Sequence, residues 1–212
     1  MNTIRASRAL IAATAAVVLP LGLAACGNDD DAGGSKKSEP SKSQKKEDMG
    51  EDSAMSTFGP ACASVPKSGK GSFNGMAKDP VATAASNNPE LSTLVAAVKK
   101  AGLVDTLNSS KNITVFAPTN DAFKKIPKAD LDKVMSDKKM LTKILTYHVV
   151  GKPVGKDQLK DGTFTTLEKD KVTTEGSGDS YTVNGSAKIG CGDVTTANAT
   201  VHLIDTVLMP PK

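Results

Sequence analysis

Residues 113–123 read Ile-Thr-Val-Phe-Ala-Pro-Thr-Asn-Asp-Ala-Phe, and no other stretch constrains the fold so tightly. Its first half alternates as a strand does and is rich in β-branched and aromatic side chains. Ala117-Pro118 then stops the strand, because proline has no N–H for a ladder and holds its predecessor extended. Thr119, Asn120 and Asp121 start a helix, offering side-chain oxygens to its free N–H groups and an acid to the positive end of its dipole. Phe116 and Phe123 are two of five phenylalanines in a chain without tryptophan. A strand, a corner and a capped helix holding scarce aromatics read as the seam of a core.

The beginning of the chain reads as an export signal. Arg5 and Arg8 form a charged n-region and residues 9–21 an apolar run too short for a convincing membrane span. Leu23-Ala24-Ala25-Cys26 matches a bacterial lipoprotein cleavage box, with residues 1–25 as lipoprotein signal peptide. The small residues admit the peptidase, and the Cys26 thiol is the expected attachment point for diacylglycerol and its palmitate-type chains. Two acyl chains suffice for stable anchoring where one is marginal. The expected location is the extracytoplasmic face of the cell membrane, with a shed or secreted fraction. Residues 26–57 hold five lysines against eight acids and almost no apolar side chain. Such a segment buries too little surface to offset its ordering entropy and reads as a disordered tether.

Residues 58–212 are long enough for one core. Cys62 and Cys191 lie near its two ends, and in an exported chain an even pair usually forms a disulfide. Neither Cys-x-x-Cys nor nearby histidines favour a redox or metal reading. Asp79-Pro80 starts a helix running to about Ser86, with Asp79 as its cap, and Asn88-Pro89-Glu90 repeats the device. Leu91, Leu94, Val95 and Val98 form one helical face, which Gly102 ends. Further helices are expected over residues 103–107, 129–135 and 137–146, the last burying Met140, Leu141, Ile144 and Leu145. Tyr147-His148-Val149-Val150 reads as a strand. Short strands follow at 163–167, 171–174, 181–183 and 187–189, with Gly176, Gly178, Asn184-Gly185 and Gly190 as turns. A closing strand is expected within residues 200–210. Helices first and a β-meander later make the class α+β.

Residues 113–123, Tyr147-His148 and the closing segment 199–210 together resemble the first conserved box, the Tyr-His motif and the second box of a fasciclin domain. The order and spacing fit across residues 58–211. With the lipoprotein box and the two cysteines, the chain resembles the mycobacterial fasciclin-type surface lipoprotein antigens. The resemblance implies a fasciclin-like β-sandwich wedge flanked by several short helices, and a role in adhesion or in contact with matrix, host or neighbouring cells. Animal members carry an integrin-linked Asn-Lys-Asp-Ile-Leu motif before the second box. Its place here holds Cys191-Gly192-Asp193-Val194-Thr195, so only Asp193 persists outright. Tyr147, His148 and Asp193 are therefore the candidate interaction residues. The alternative for Tyr147 and His148 is burial with internal hydrogen bonds.

Chemistry has little to work with. His148 and His202 are the only histidines, and no Gly-x-Ser-x-Gly elbow, His-Glu-x-x-His motif or calcium loop occurs. Asp121 and Asp205 read as a helix-start acid and a backbone-bonding box residue. No arginine follows Arg8, which counts against nucleic-acid and phosphate recognition. No catalytic residue, cofactor or metal is expected. The chain reads as a monomeric, membrane-anchored module for protein or glycan partners, or as a lipoprotein holding a small apolar or glycan ligand in a cleft. A deep apolar pocket lined by Met140, Leu145 or Phe164 would favour the cleft, and a filled core the module.

Overall fold

The computed structural model describes residues 56–211. Cys26, the 1–25 signal and all but the end of the 26–57 segment lie outside the described residues.

Strand β1, Ile113–Pro118, runs parallel to β7, Ala199–Ile204, with Ile113 opposite Ala199 and Pro118 opposite Ile204. On its other edge β1 pairs antiparallel with the two-residue β2, Val149–Val150. Every residue of β1 is buried, because both faces of the strand are covered. The period of two still sorts them. Ile113, Val115 and Ala117 join Val201 and Leu203 in one core, and Phe116 joins Ile204 in another.

Strands β3 (Asp161–Thr165), β4 (Lys171–Ser177), β5 (Ser180–Val183) and β6 (Ala187–Thr195) form an antiparallel meander. The full order is β2-β1-β7-β6-β5-β4-β3. The two outer ends meet, since Val150 bridges Thr166 and the Leu167 N–H donates to the Val149 carbonyl at 2.7 Å. One seven-stranded sheet thus curls on itself to make both layers of the wedge, and little edge is left open. Asn184 and Gly185, both at positive φ, turn the β5–β6 hairpin as expected.

Seven α-helices are described: α1 Phe73–Met76, α2 Val81–Ser86, α3 Ser92–Ala101, α4 Val104–Ser109, α5 Asn120–Lys124, α6 Lys128–Ser136 and α7 Lys138–Tyr147. Thr119 caps α5, Asp137 caps α7, and left-handed Gly102 closes α3. The first core lies between the longer helices and the β1/β7 face of the sheet, and the second inside the curl. Cys62 is bonded to Cys191 across 129 residues, fastening a 3-10 turn at Pro60–Ser64 to β6.

Four local expectations are corrected. Asp79 does not cap α2; the side chains of Asn198 and Asn108 accept from the Val81 and Ala82 N–H groups instead. Tyr147 ends α7 rather than starting a strand, because the helix runs on until its last carbonyls meet the His148 N–H. Met140 is 46% exposed, while Leu141, Ile144 and Leu145 face the core. Neither Gly176 nor Gly190 is a turn; they lie within β4 and the nine-residue β6.

Candidate functional site

Tyr147 and His148 come from the end of α7, where the chain passes into β2. Tyr147 is 3% exposed and sits in the core inside the curl. Its hydroxyl donates to the Lys171 carbonyl at 2.9 Å and accepts from the Asn184 amide at 3.0 Å. His148 is 2% exposed. The Leu208 N–H donates to its Nε2 at 2.9 Å, so the proton sits on Nδ1, which donates to the Ile144 carbonyl at 2.8 Å. Burial pushes the imidazole pKa down to about 4, against the opposing pull of that carbonyl.

Asp193 lies in β6 at a bulge, with φ of 56°. One carboxylate oxygen accepts from the Lys156 N–H at 3.0 Å; the other is buried without a protein partner. The Asp193 N–H donates to His202 Nδ1 at 3.2 Å, and His202 Nε2 donates to the Val154 carbonyl at 2.9 Å. His202 also stacks on Phe116, with ring centroids 5.5 Å apart. Burial depresses its pKa, with the Val154 bond and the Asp193 charge opposing. Both histidines thus use both ring nitrogens on backbone groups. Asp205 accepts from the Lys188 N–H and from Lys125, as its box position suggested, and Asp121 pairs with Lys124 on the surface. The three candidate interaction residues are tied into separate internal networks and form no shared exposed face.

A different feature stands between the helices and the sheet. A cavity of about 60 Å³ lies beneath α2, α3 and α4, against β1, β6 and β7. Val81, Leu94, Val98, Leu107, Val115 and Leu203 are among the aliphatic residues that line it. Leu145 lines it, as the cleft reading anticipated; Phe164 lies in the other core and Met140 on the surface. Its rim includes the exposed residues Ser86, Thr106 and Leu167. Sequence reading missed it because α2 offers Ala84 and Ala85 inward, and an alanine in a helical pattern signals propensity rather than a void.

Asn198 and Asn108 were also passed over. Both fall in Asn-x-Ser/Thr patterns, yet their side chains are engaged inside the domain. The readable signal was a polar side chain in the β6–β7 turn, where an Asn often satisfies backbone groups.

A profile of the fasciclin domain matches residues 89–210. The cell surface glycolipoprotein MPB83 of Mycobacterium bovis is 49% identical over 168 residues, covering 76% of this chain and 75% of that protein. The immunogenic protein MPB70 of the same species is 50% identical over 161 residues, covering 72% and 82%. Protein sll1483 of Synechocystis is 40% identical over 129 residues, covering 60% and 71%. Among solved structures, a FAS1 domain pair from the insect cell adhesion molecule Fasciclin I superposes with a TM-score of 0.53 at 20% identity. That match covers 64% of this chain and spans about half of the longer one, 52%; at this identity it speaks for the fold.

Proposed function

Because the chain belongs to the fasciclin domain family, we propose that it is a cell-surface interaction module, anchored by lipid on Cys26 and working in adhesion or contact with matrix, host or neighbouring cells. Its closely similar mycobacterial relatives are named as surface or immunogenic proteins, and no described helix is long and apolar enough to cross a membrane. The observation that carries the reading is the internal use of Tyr147, His148 and His202. With these groups bonded inside, the module meets protein or glycan partners through its exposed faces and acts by binding rather than catalysis. The test is attachment. A deletion strain should lose cell–cell or cell–surface attachment, wild type should restore it, and Cys26→Ala should not. Undiminished attachment in the deletion strain would overturn the reading.

A second reading is favoured by the cavity beneath α2, α3 and α4. In it the domain also holds a small apolar ligand in a cleft between helices and sheet.

A further inference from the structure

We propose that this cavity takes the end of an unbranched aliphatic chain, the tail of a fatty acid or of a lipid, with the polar end left outside. The proposal rests on the cleft reading and names its ligand.

The void has a local cause. Helix α2 reads Val-Ala-Thr-Ala-Ala-Ser, so its inner face presents Ala84 and Ala85 to the sheet. Both line the cavity together with Val115 and Leu203, and an alanine fills far less space than a leucine. Interiors are ordinarily packed with few voids larger than a water molecule, so an open space at this position is a feature to be filled.

The lining fixes the chemistry of the occupant. The polar side chains in the wall are already engaged. Asn88 Oδ1 accepts from the Glu90 N–H, and both His148 nitrogens are bonded. The Thr196 hydroxyl bonds Ala199, that of Thr146 bonds Thr142, and that of Ser86 bonds Ala82. The Asn88 amide nitrogen is the weakest bonded of them, with Met76 Sδ at 3.9 Å as its partner; the wall is otherwise predominantly apolar, and a buried polar atom without a good partner is costly. The inserted part is therefore hydrocarbon. Its width follows from volume. An apolar cavity of about 150 Å³ stays dry and admits benzene; at about 60 Å³ this one is too small for a ring and suits a narrow chain end. Exposed Leu167 and the rim residues Ser86 and Thr106 mark where the cavity reaches solvent, so a headgroup stays in water.

Each methylene that enters should raise affinity about fourfold, and the gain should stop once the space is full. The experiment uses the exported chain carrying Cys26→Ala, purified without detergent and titrated with sodium carboxylates from hexanoate to dodecanoate by calorimetry. Affinity rising about fourfold per methylene and then levelling supports the proposal; an unbroken rise with length indicates surface partition and overturns it. Ala84→Leu fills the space and should weaken binding at least tenfold. Leu167→Lys, at an exposed position, carries the same test should Ala84→Leu fail to fold, with a loss of about fivefold expected. Binding unchanged in the folded variants would overturn the location. Benzene binding without any carboxylate binding would overturn the chain class and leave the cleft reading standing; no binding by either probe would overturn both. Competition by didecanoyl phosphatidylcholine would place the source in membrane lipid and its absence in free acids, and both results support the chain class.

Discussion

Asn198 Oδ1 accepts a hydrogen bond from the Val81 N–H at 2.8 Å, joining the β6–β7 turn to the start of α2 across 117 residues of chain. The same side chain donates through Nδ2 to the Leu107 carbonyl at 2.8 Å and the Ser110 carbonyl at 2.6 Å, at the end of α4. One amide thus satisfies the orphan groups of two helix termini and fixes both helices over the sheet. Asn198→Ala removes a helix cap and leaves part-buried carbonyls without partners, a loss of roughly 2–4 kcal/mol. Asn198→Asp keeps the acceptor but sets a carboxylate against two carbonyl oxygens, and should also destabilise. Urea denaturation reads both; midpoints indistinguishable from wild type would refute the role.

His148 makes stability depend on pH. Its folded pKa, about 4, lies below the ordinary value of 6.5, so the unfolded chain binds the proton more readily. Stability is full above about pH 6.5 and falls as the pH drops toward 4. The shift corresponds to a loss on the order of 3 kcal/mol by the lower end. Protonation puts a second N–H on the ring, which then faces the Leu208 N–H donor. His202 titrates in the same direction. Urea midpoints at pH 7 and pH 4.5 should differ clearly in wild type and by less in His148→Gln. An equal pH slope in the two would remove His148 from the account. Staying above pH 4.5 keeps most carboxylate titration out of the window.

What could be read ahead was local. The 113–123 strand and corner, the Thr119 cap and the Asn184-Gly185 turn depend on neighbours in sequence, and each appears in the structure. Errors gathered where a distant partner decides. Gly176 and Gly190 suggested turns, yet they lie within β4 and β6. A Cβ on Gly192 would come within 2.1 Å of the Phe58 ring, so glycine there admits a distant aromatic instead of turning the chain. Asp79 was a plausible cap by sequence, but Asn198 and Asn108 reach its helix from far along the chain. The cavity was invisible for another reason: the alanines of α2 that line it read as helix propensity and not as missing volume.

The Cys62–Cys191 bond should be a major prop of the domain. It closes 129 residues, and a loop of that size constrains the unfolded chain by about 4–5 kcal/mol in the entropy model. A Cys62→Ala/Cys191→Ala variant should therefore unfold at much lower urea than wild type. Mass spectrometry of the exported wild type should find no free thiol on either residue. A variant within 1 kcal/mol of wild type, about a fivefold change in the folding constant, would mean that the non-covalent contacts, the Phe58–Gly192 bridge among them, suffice to hold the first residues to β6.

Tyr147 separates a structural role from a contact role. Its hydroxyl bridges the Lys171 carbonyl in β4 and the Asn184 amide in the β5–β6 turn, and Asn184 in turn accepts from the Thr173 N–H. Tyr147→Phe keeps the ring in place and removes only the bridge, leaving two polar groups short of a partner; the cost is about 1–3 kcal/mol. The ring itself is buried, so a partner on the surface does not touch it. Cells displaying Tyr147→Phe should attach as wild type does at temperatures where the variant is folded, and should fail only near its lowered melting point. Attachment lost while circular dichroism and the melting curve match wild type would return Tyr147 to the binding surface and overturn its assignment to the interior.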